Sequence, residues 1–231
     1  MERALGTDAT RIRGQNAIQI ALPHVTPRVT LDADLVVPLA ARGLIMFAHG
    51  SGSGRHSPRN RTVAAILRDA GFATLLLDLL TLDEEQIDAS TREYRFDITL
   101  LADRLTATID WAAQDAEIGH LPLGLFGAST GAAAALIAAA RRPTGVAAIV
   151  SRGGRPDLAG DALEQVRAPT LLIVGGYDTP VIDLNRDILP RLHCPKQLAI
   201  IPQATHLFEE PGALDHVARL ARDWFRRYVV L

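Results

Sequence analysis

The chain has 231 residues, of which 48% are apolar, and its 24 basic and 26 acidic residues leave a formal charge of −2. A chain of this length can bury one large core. The near balance of charges gives no reason to expect nucleic acid or a membrane surface as a partner. Because Cys194 is the single cysteine, an intrachain disulfide is excluded, and a reducing compartment is expected.

The N-terminal segment, residues 1–15, contains three arginines but no apolar run of signal-peptide length. Later apolar stretches are interrupted well before the length that a transmembrane helix needs. We therefore expect no signal peptide, no transmembrane helix and a cytoplasmic location. The expected organisation is a disordered segment over residues 1–15 and a single folded domain over residues 16–231.

The first half of the chain alternates between strand-like and helix-like segments. Short apolar runs predict strands over residues 17–22, 28–37, 43–48 and 72–78. A helix is predicted over residues 58–70 and ends before Gly71. The acidic segment 79–96 is long for a connection, and such segments are often lids, whereas a solvated loop with one helical turn is the simpler alternative.

The second half continues this alternation. Strands are predicted over residues 121–126, 146–150, 170–174 and 196–201. Helices are predicted over residues 97–116, 129–142, 181–192 and 211–228, with Pro211 near the start of the last helix. The alternation indicates an α/β fold with a mostly parallel central sheet and helices on both faces. Ligands bind beyond the carboxyl ends of such strands, so polar residues directly after a strand are the candidates for a site.

The segment Gly127-Ala128-Ser129-Thr130-Gly131 joins a predicted buried strand to an alanine-rich helix. The G-x-S-x-G pattern is typical of a tight turn that holds a strained serine with its Oγ above the sheet. The N-terminus of the following helix favours negative charge nearby. Ser129 is therefore the predicted nucleophile, and a glycine-rich turn with a serine N-cap is the alternative.

A nucleophilic serine needs a base and a carboxylate that orients this base. Asp178 and His206 each follow a predicted strand downstream of Ser129, and we predict that they fill these two roles. Their order along the chain, serine then aspartate then histidine, is the order that this kind of fold uses.

Other residues compete for the same roles. His56 is the main alternative base because its loop borders the predicted site, whereas His49 is expected to structure the loop that it begins. Asp183 and Asp187 are alternative acids, but both fall within the following helix. Asp78 also ends a strand, although it precedes Ser129 and breaks the expected order.

The segment His49-Gly50-Ser51-Gly52-Ser53-Gly54 follows the third predicted strand. Glycine lets backbone N–H groups approach a developing negative charge closely. The expected oxyanion donors are the N–H groups of Thr130 and Ser51, with Gly52 as the alternative to Ser51. The segment lacks the G-x-G-x-x-G spacing and no Gly-Lys-Ser/Thr follows it, so a nucleotide-phosphate site is disfavoured.

Together, the HGSGSG loop, the GASTG elbow, Asp178 and His206 resemble the α/β-hydrolase superfamily. The compact size and the lack of a large cap domain are similar to the dienelactone hydrolase-like group, from about residue 17 to residue 229. The enzymes that name this group use cysteine at the elbow, whereas Ser129 stands here and Cys194 precedes a strand. The resemblance therefore implies an esterase, thioesterase, lipase or peptidase, and the lactone substrate is not carried over.

Two arginines are candidate substrate-binding residues, together with Gly52. Arg152 follows the sixth predicted strand, where a guanidinium can bind a substrate carboxylate or phosphate, although an ion pair with Asp157 or Asp161 is the favoured alternative. Arg55, beside the oxyanion loop, raises the same possibility. No close histidine pair and no H-E-x-x-H motif is present, so we expect no metal and no cofactor.

These residues predict hydrolysis of an ester or related acyl bond of a small substrate through an acyl-enzyme. Two other functions stay open. One is a binding or scaffolding protein that keeps the fold without turnover, which the intact set of Ser129, Asp178 and His206 disfavours. The other is an acyltransferase that uses the same residues and an acceptor other than water. The sequence leaves the oligomeric state open.

Overall fold

The computed structural model describes residues 12–22, 24–25 and 28–229. Within these residues, eight strands form one sheet: Ile12–Leu22 (β1), Val29–Pro38 (β2), Leu44–Ala48 (β3), Ala73–Leu77 (β4), Leu123–Ala128 (β5), Ala148–Arg152 (β6), Thr170–Gly175 (β7) and Lys196–Ile201 (β8). Their order across the sheet is β1-β2-β4-β3-β5-β6-β7-β8. β2 is antiparallel to both β1 and β4, and all other neighbouring strands are parallel.

Helices cover both faces of this sheet. The α-helices of the described residues are Pro58–Asp69 (α1), Leu82–Thr91 (α2), Ile98–Gln114 (α3), Thr130–Arg141 (α4), Thr179–Ile188 (α5) and Ala213–Tyr228 (α6). Two 3-10 helical segments, Pro156–Gln165 and Leu189–Arg191, follow β6 and α5. The predicted mostly parallel sheet with helices on both faces is thus confirmed.

The sheet separates two apolar cores. One core joins the strands to α1 and α6 and contains Phe47, Phe126 and Phe225, all almost completely buried. The other joins them to α3 and α4 and contains Leu105 and Leu125. Strands β3, β4 and β5 are buried along their whole length because both of their faces are covered. Their carboxyl ends meet at one edge, where the connecting loops are free to build a site.

Residues 79–96 differ from the prediction, because they contain the ten-residue helix α2. Thr81 and Glu84 form a capping box, in which each side chain binds the backbone N–H of the other residue. After the helix, the Asp88 carboxylate accepts hydrogen bonds from the backbone N–H groups of Tyr94 and Arg95, both at 2.9 Å. These bonds lie within the segment and define the start of α2 and the turn that follows it.

Several boundaries also differ from the prediction: β5 spans Leu123–Ala128 where 121–126 was predicted, and α5 spans Thr179–Ile188 where 181–192 was predicted. α6 begins at Ala213, beyond Pro211, because Gly212 precedes it with a left-handed φ of 78°. β6 extends to Arg152, so this arginine is the last residue of the strand and does not follow it. In the described part of the chain, no helix has both the length and the apolar character that crossing a membrane requires.

The predicted disorder of residues 1–15 falls mainly on residues 1–11, which lie outside the described residues. β1 begins at Ile12, five residues before its predicted start. The single domain over residues 16–231 stays a prediction.

Candidate active site

Ser129 lies in the turn between β5 and α4. Its backbone has φ 50° and ψ −121°, a conformation that non-glycine residues adopt only under strain. Although Ser129 occupies the N-cap position of α4, its side chain makes no capping hydrogen bond. The alternative explanation, an ordinary serine N-cap, therefore does not account for this residue.

The glycines on either side of Ser129 are required by close packing. A Cβ atom on Gly127 would lie 2.5 Å from the Cα of Ala132, in the first turn of α4. A Cβ atom on Gly131 would collide with the carbonyl oxygens of Ala48 and His49, at the end of β3. The G-x-S-x-G pattern thus reflects a turn that is pressed against its own helix and against the neighbouring strand.

Asp178 and His206 are brought together from two separate loops. The Nδ1 atom of His206 lies 2.6 Å from Oδ2 of Asp178. Asp178 directly precedes α5, and its carboxylate does not cap that helix, which leaves it directed at the imidazole. The Asp178 side chain is 13% exposed and that of His206 is 39% exposed, so the carboxylate is sheltered while the ring still reaches solvent.

The loop that carries His206 lies close to Ser129. The backbone N–H of Ser129 donates to the carbonyl oxygen of Arg152 at 3.2 Å. The next residue, Gly153, faces His206, since a Cβ atom there would lie 3.4 Å from Cε1 of the ring. Among the described residues, no hydrogen bond joins the Ser129 hydroxyl to His206. Such catalytic hydrogen bonds are often long without substrate and shorten when substrate binds.

The competing residues lie elsewhere or have other partners. His56 has a side chain that is 63% exposed, and its Nδ1 lies 3.9 Å from Asp34. Asp183 is exposed and lies 3.7 Å from Arg186 on the same helix. His49 is buried, and its Nε2 accepts a hydrogen bond from the backbone N–H of Leu79 at 2.9 Å. None of these is hydrogen-bonded as His206 is to Asp178.

His49 holds the oxyanion loop, defined as residues 49–54. Its Nδ1 lies 2.9 Å from the carbonyl oxygen of Gly50, so the ring carries its proton on Nδ1 and accepts at Nε2. Burial lowers the pKa of His49, although the Gly50 carbonyl and the charge of Asp78 oppose this effect. The ring is therefore a neutral bridge between β3 and the residue after Asp78.

The two predicted oxyanion donors are neighbours. The hydroxyl groups of Ser51 and Thr130 lie 3.0 Å apart, which places the oxyanion loop directly beside the start of α4. Within the described residues, the backbone N–H groups of Ser51 and Thr130 donate to no carbonyl oxygen. Backbone N–H groups without an internal acceptor are available to an external one.

A cavity of about 650 Å³ opens beside the oxyanion loop. Its lining runs from this loop to the first residues of α1 on one side and to α2 on the other, and it includes Ser51, Thr130, Arg59, Leu82 and Arg95. Gly52, a predicted substrate-binding residue, has φ 68°, and a Cβ atom there would lie 3.2 Å from Nη1 of Arg95. The wall formed by α2 and Arg95 thus closes one side of the cavity.

Arg55 also lines this cavity, but its charge is already balanced. Its backbone N–H donates to Oδ1 of Asp78 at 2.6 Å, and its guanidinium contacts the other oxygen of the same carboxylate. Asp32 and Asp34 lie 3.5 and 3.6 Å away. Burial opposes the charged form, yet the bond to Asp78 and the three carboxylates raise the pKa of Arg55. The predicted substrate-binding role of Arg55 therefore competes with a structural one.

Arg152 lacks the ion pair that the sequence favoured. Asp157 instead binds Arg155 at 2.7 Å, and Asp161 lies 3.1 Å from Arg191. Arg152 is 8% exposed and makes no side-chain hydrogen bond to any described residue, and its buried Nη1 atom has no partner. Burial, together with the nearby positive charge of Arg59, lowers the pKa of Arg152 to about 10.

Sequence reasoning missed the clamp that Asp78 forms on the oxyanion loop and the ion pair that anchors α2. In that pair, Arg104 is fully buried and binds both carboxylate oxygens of Glu84, at 2.6 and 2.5 Å. The Thr81-x-x-Glu84 spacing, a capping-box signal before a helix, was the available clue to α2. Among the described residues, no group of three His, Cys, Asp or Glu side chains is placed to hold a metal.

The sheet order and the turn at Ser129 are those of the α/β-hydrolase fold. The chain belongs to the dienelactone hydrolase family, whose model matches residues 31–230. The dienelactone hydrolase from Anabaena variabilis ATCC 29413 is 57% identical, with a TM-score of 0.90 over 94% of this chain and 98% of that one. Est1E from Butyrivibrio proteoclasticus shares the fold at 16% identity, with a TM-score of 0.75 over 91% of this chain and 98% of that one.

A curated relative is longer than this chain. The Mycobacterium tuberculosis protein named "Putative phosphoribosyl transferase Rv0571c" is 56% identical over 197 residues, which are 85% of this chain and 44% of that protein. This chain therefore spans less than half the length of that relative. The predicted membership of the dienelactone hydrolase-like group and the predicted α/β-hydrolase fold are both confirmed by these comparisons.

Proposed function

We propose that this protein is a serine hydrolase that cleaves an ester or related acyl bond of a small substrate. The observation that carries the proposal is the strained Ser129 at the end of β5, beside the loop in which His206 is bound to Asp178. Membership of a hydrolase family supports the reaction class. Ser129 stands where the enzymes that give the group its name use cysteine, so the nucleophile in this proposal is a hydroxyl activated by a base.

In the proposed mechanism, the Ser129 oxygen attacks the acyl carbonyl while His206 takes the hydroxyl proton. Asp178 keeps the Nδ1 proton of His206 in place and stabilises the charged ring. The N–H groups of Thr130 and Ser51 bind the oxyanion, and such a donor typically contributes about 3 kcal/mol to transition-state stabilisation.

The same residues complete the turnover. When the tetrahedral intermediate collapses, the acyl–oxygen bond breaks and His206 returns its proton to the leaving alcohol. Water then attacks the acyl-enzyme, with His206 as the base. The free acid is released and the Ser129 hydroxyl is regenerated. No redox partner or metal enters this sequence of steps.

Labelling with a fluorophosphonate probe tests the nucleophile directly. We expect a single adduct that mass spectrometry maps to the peptide containing Ser129, and no adduct in Ser129→Ala. Ser90→Ala is the matched control, because Ser90 lies on exposed α2 and its hydroxyl binds only the carbonyl of Ile87. An adduct at another residue, or equal labelling of Ser129→Ala, would remove Ser129 from the mechanism.

Turnover is measured with short p-nitrophenyl esters and with dienelactone, the cyclic ester to which the name of the Anabaena relative refers. Loss of the serine is expected to lower kcat by about 10⁴-fold or more. Adding alcohol or amine acceptors and weighing the products distinguishes hydrolysis from acyl transfer. Rates that equal the uncatalysed background for both wild type and Ser129→Ala would instead favour a binding protein without turnover.

A further inference from the structure

The loop that follows β6 holds the backbone of Ser129 from both sides. We call residues 152–155 the bridging loop. The Ser129 N–H donates to the carbonyl oxygen of Arg152 at 3.2 Å, and the Arg155 N–H donates to the carbonyl oxygen of Ser129 at 3.1 Å. Both backbone polar groups of the strained serine are thus bonded to this loop, so the position of the serine depends on the position of the loop.

The same loop packs against His206. Gly153 has φ 51°, and a Cβ atom there would lie 3.2 Å from the carbonyl oxygen of His206 and 3.4 Å from Cε1 of its ring. The Gly153 N–H donates to the carbonyl oxygen of Ile173 on β7 at 2.7 Å. Because no hydrogen bond joins the side chains of His206 and Ser129 in the described part of the chain, the bridging loop between them sets their separation.

Asn185 joins this loop to the helix that begins directly after Asp178. It lies on α5 and is 0% exposed. Its Nδ2 donates to the carbonyl oxygen of Gly154 at 3.1 Å and to that of Val181 at 2.8 Å. Both partners are carbonyl oxygens, which only accept, so the atom that faces them is the amide nitrogen. Asn185 therefore connects the carboxylate, the histidine and the serine through one loop.

The amide of Asn185 is a poor source of stability. Its Oδ1 is buried and has no hydrogen-bond partner among the described residues. An unsatisfied buried acceptor offsets much of what two donated hydrogen bonds contribute, and an apolar side chain of similar shape avoids that penalty. What asparagine supplies here and leucine does not is the hydrogen bond to Gly154.

We propose that Asn185 is a positioning residue that acts through the bridging loop to hold the His206 imidazole at the distance from Ser129 that proton transfer needs. This inference rests on the proposed function, because it adds a residue to the same reaction. Proton transfer needs heavy atoms about 3 Å apart, and a misplacement of about 1 Å can cost about 100-fold in rate. Because Asn185 is fully buried and does not reach substrate, its loss should lower kcat and leave KM nearly unchanged.

The first test measures the rate constant for fluorophosphonate labelling with and without the histidine. Asn185→Leu should lower this rate about tenfold when His206 is present, and by less than about twofold in the His206→Ala background, because residues that act as a unit are not additive. Asn60→Leu is the control, since Asn60 is 2% exposed and its Oδ1 also lacks a partner among the described residues. Equal losses in both backgrounds, or no loss at all, would overturn the proposal.

The second test disturbs the same contact from the loop and stands even if Asn185→Leu fails to fold. Gly153→Ala places a methyl group against the His206 ring and should lower kcat on p-nitrophenyl acetate by about tenfold, with little change in KM. Gly160→Ala is the matched control, because Gly160 has φ 54° and a Cβ atom there would have no neighbour within 4 Å. Equal losses of kcat in the two variants would assign the effect to backbone strain and refute the positioning role.

Amide hydrogen exchange separates this inference from the proposed function. The N–H groups of Gly153 and Arg155 are both hydrogen-bonded, so loosening the bridging loop should raise their exchange rates about tenfold in Asn185→Leu and leave them unchanged in Asn60→Leu. If wild type neither reacts with the probe nor hydrolyses any ester, the proposed hydrolysis fails, while faster exchange still supports the link through Asn185. Unchanged exchange in a folded Asn185→Leu variant refutes that link, whatever the enzyme hydrolyses.

Discussion

Two regions of this molecule bury an arginine, and they treat its charge in opposite ways. Between α2 and α3, Arg104 is fully buried but binds both oxygens of Glu84 and the carbonyl oxygen of Leu79. At the end of β6, Arg152 is nearly as buried and has no acceptor among the described residues. Among the described residues, Arg104 makes no hydrogen bond to Ser129. The backbone carbonyl of Arg152, in contrast, accepts a hydrogen bond from the Ser129 N–H.

The two arginines differ in what their charges contribute to the stability of the fold. The pair formed by Arg104 and Glu84 anchors α2, which forms a wall of the cavity, so its balanced charge serves the architecture. Burial alone would raise the pKa of Glu84, but hydrogen bonds from Arg104 and Thr81 hold it below its usual value. An uncompensated buried cation such as Arg152 contributes no comparable stability.

The largest expected effect is on stability and comes from breaking the balanced pair. Glu84→Gln leaves Arg104 buried without a full charge partner, so the free energy of unfolding should fall by about 3–5 kcal/mol in urea denaturation. Asp103→Asn is the control, because Asp103 on the adjacent α3 pairs with Arg141 at the exposed surface and should change stability by less than about 1 kcal/mol. Equal losses in the two variants would show that burial of Arg104 does not matter.

At Arg152, in contrast, substitution is expected to increase the free energy of unfolding. Burial lowers the pKa of Arg152 to about 10, which reflects a charged form that folding disfavours. Replacing it by methionine should therefore raise the free energy of unfolding by about 1–3 kcal/mol in buffer without phosphate or carboxylates. A loss of stability as large as that of Glu84→Gln would erase the distinction between the two regions and assign Arg152 a structural role.

A smaller effect, on kcat, is expected from loosening Arg55, the ion-paired arginine next to the oxyanion loop. Asp78→Asn removes the charge that clamps Arg55, whose backbone N–H and guanidinium both bind Asp78. We expect kcat on p-nitrophenyl acetate to fall by about tenfold, with KM nearly unchanged, because the loop that presents the Ser51 N–H loosens. Asp34→Asn, which removes a more distant partner of Arg55, serves as the control and should retain most of the rate. A rise in KM alone would contradict positioning of the oxyanion donors.

The smallest effect concerns His49, the buried neutral histidine of the same loop. Its pKa is lowered by burial, so the unfolded chain binds a proton before the folded one does as the pH falls below about 6.5. Stability from His49 is therefore present above that pH and is lost progressively below it. Urea denaturation at pH 7.5 and 5.5 should show a larger drop for wild type than for His49→Gln. Parallel drops would mean that His49 titrates alike in both states.

Much of the fold follows from patterns within short segments. The bounds of β8 match the prediction, and those of α1 agree within one or two residues. β3 and β4 also agree within one or two residues, because buried strands are continuous apolar runs between turn signals. The length of helix α2 was not predicted because its apolar face is weak. Its stability comes from a capping box, from Asp88 and from an ion pair to α3. The predicted start of α6 at Pro211 was wrong. Proline is common at helix starts, but here Gly212 has a left-handed φ and the helix begins after it.

By itself, the sequence determined the class of fold and nominated Ser129, Asp178 and His206, since each follows a predicted strand and strand ends share one edge of a parallel sheet. Only the tertiary structure decided which charges are balanced. Asp157 and Asp161 are near Arg152 along the chain but bind Arg155 and Arg191, whereas Arg55 and Asp78, 23 positions apart, form an ion pair. Electrostatic partners depend on distance and burial in space, and neither quantity can be obtained from separation along the chain.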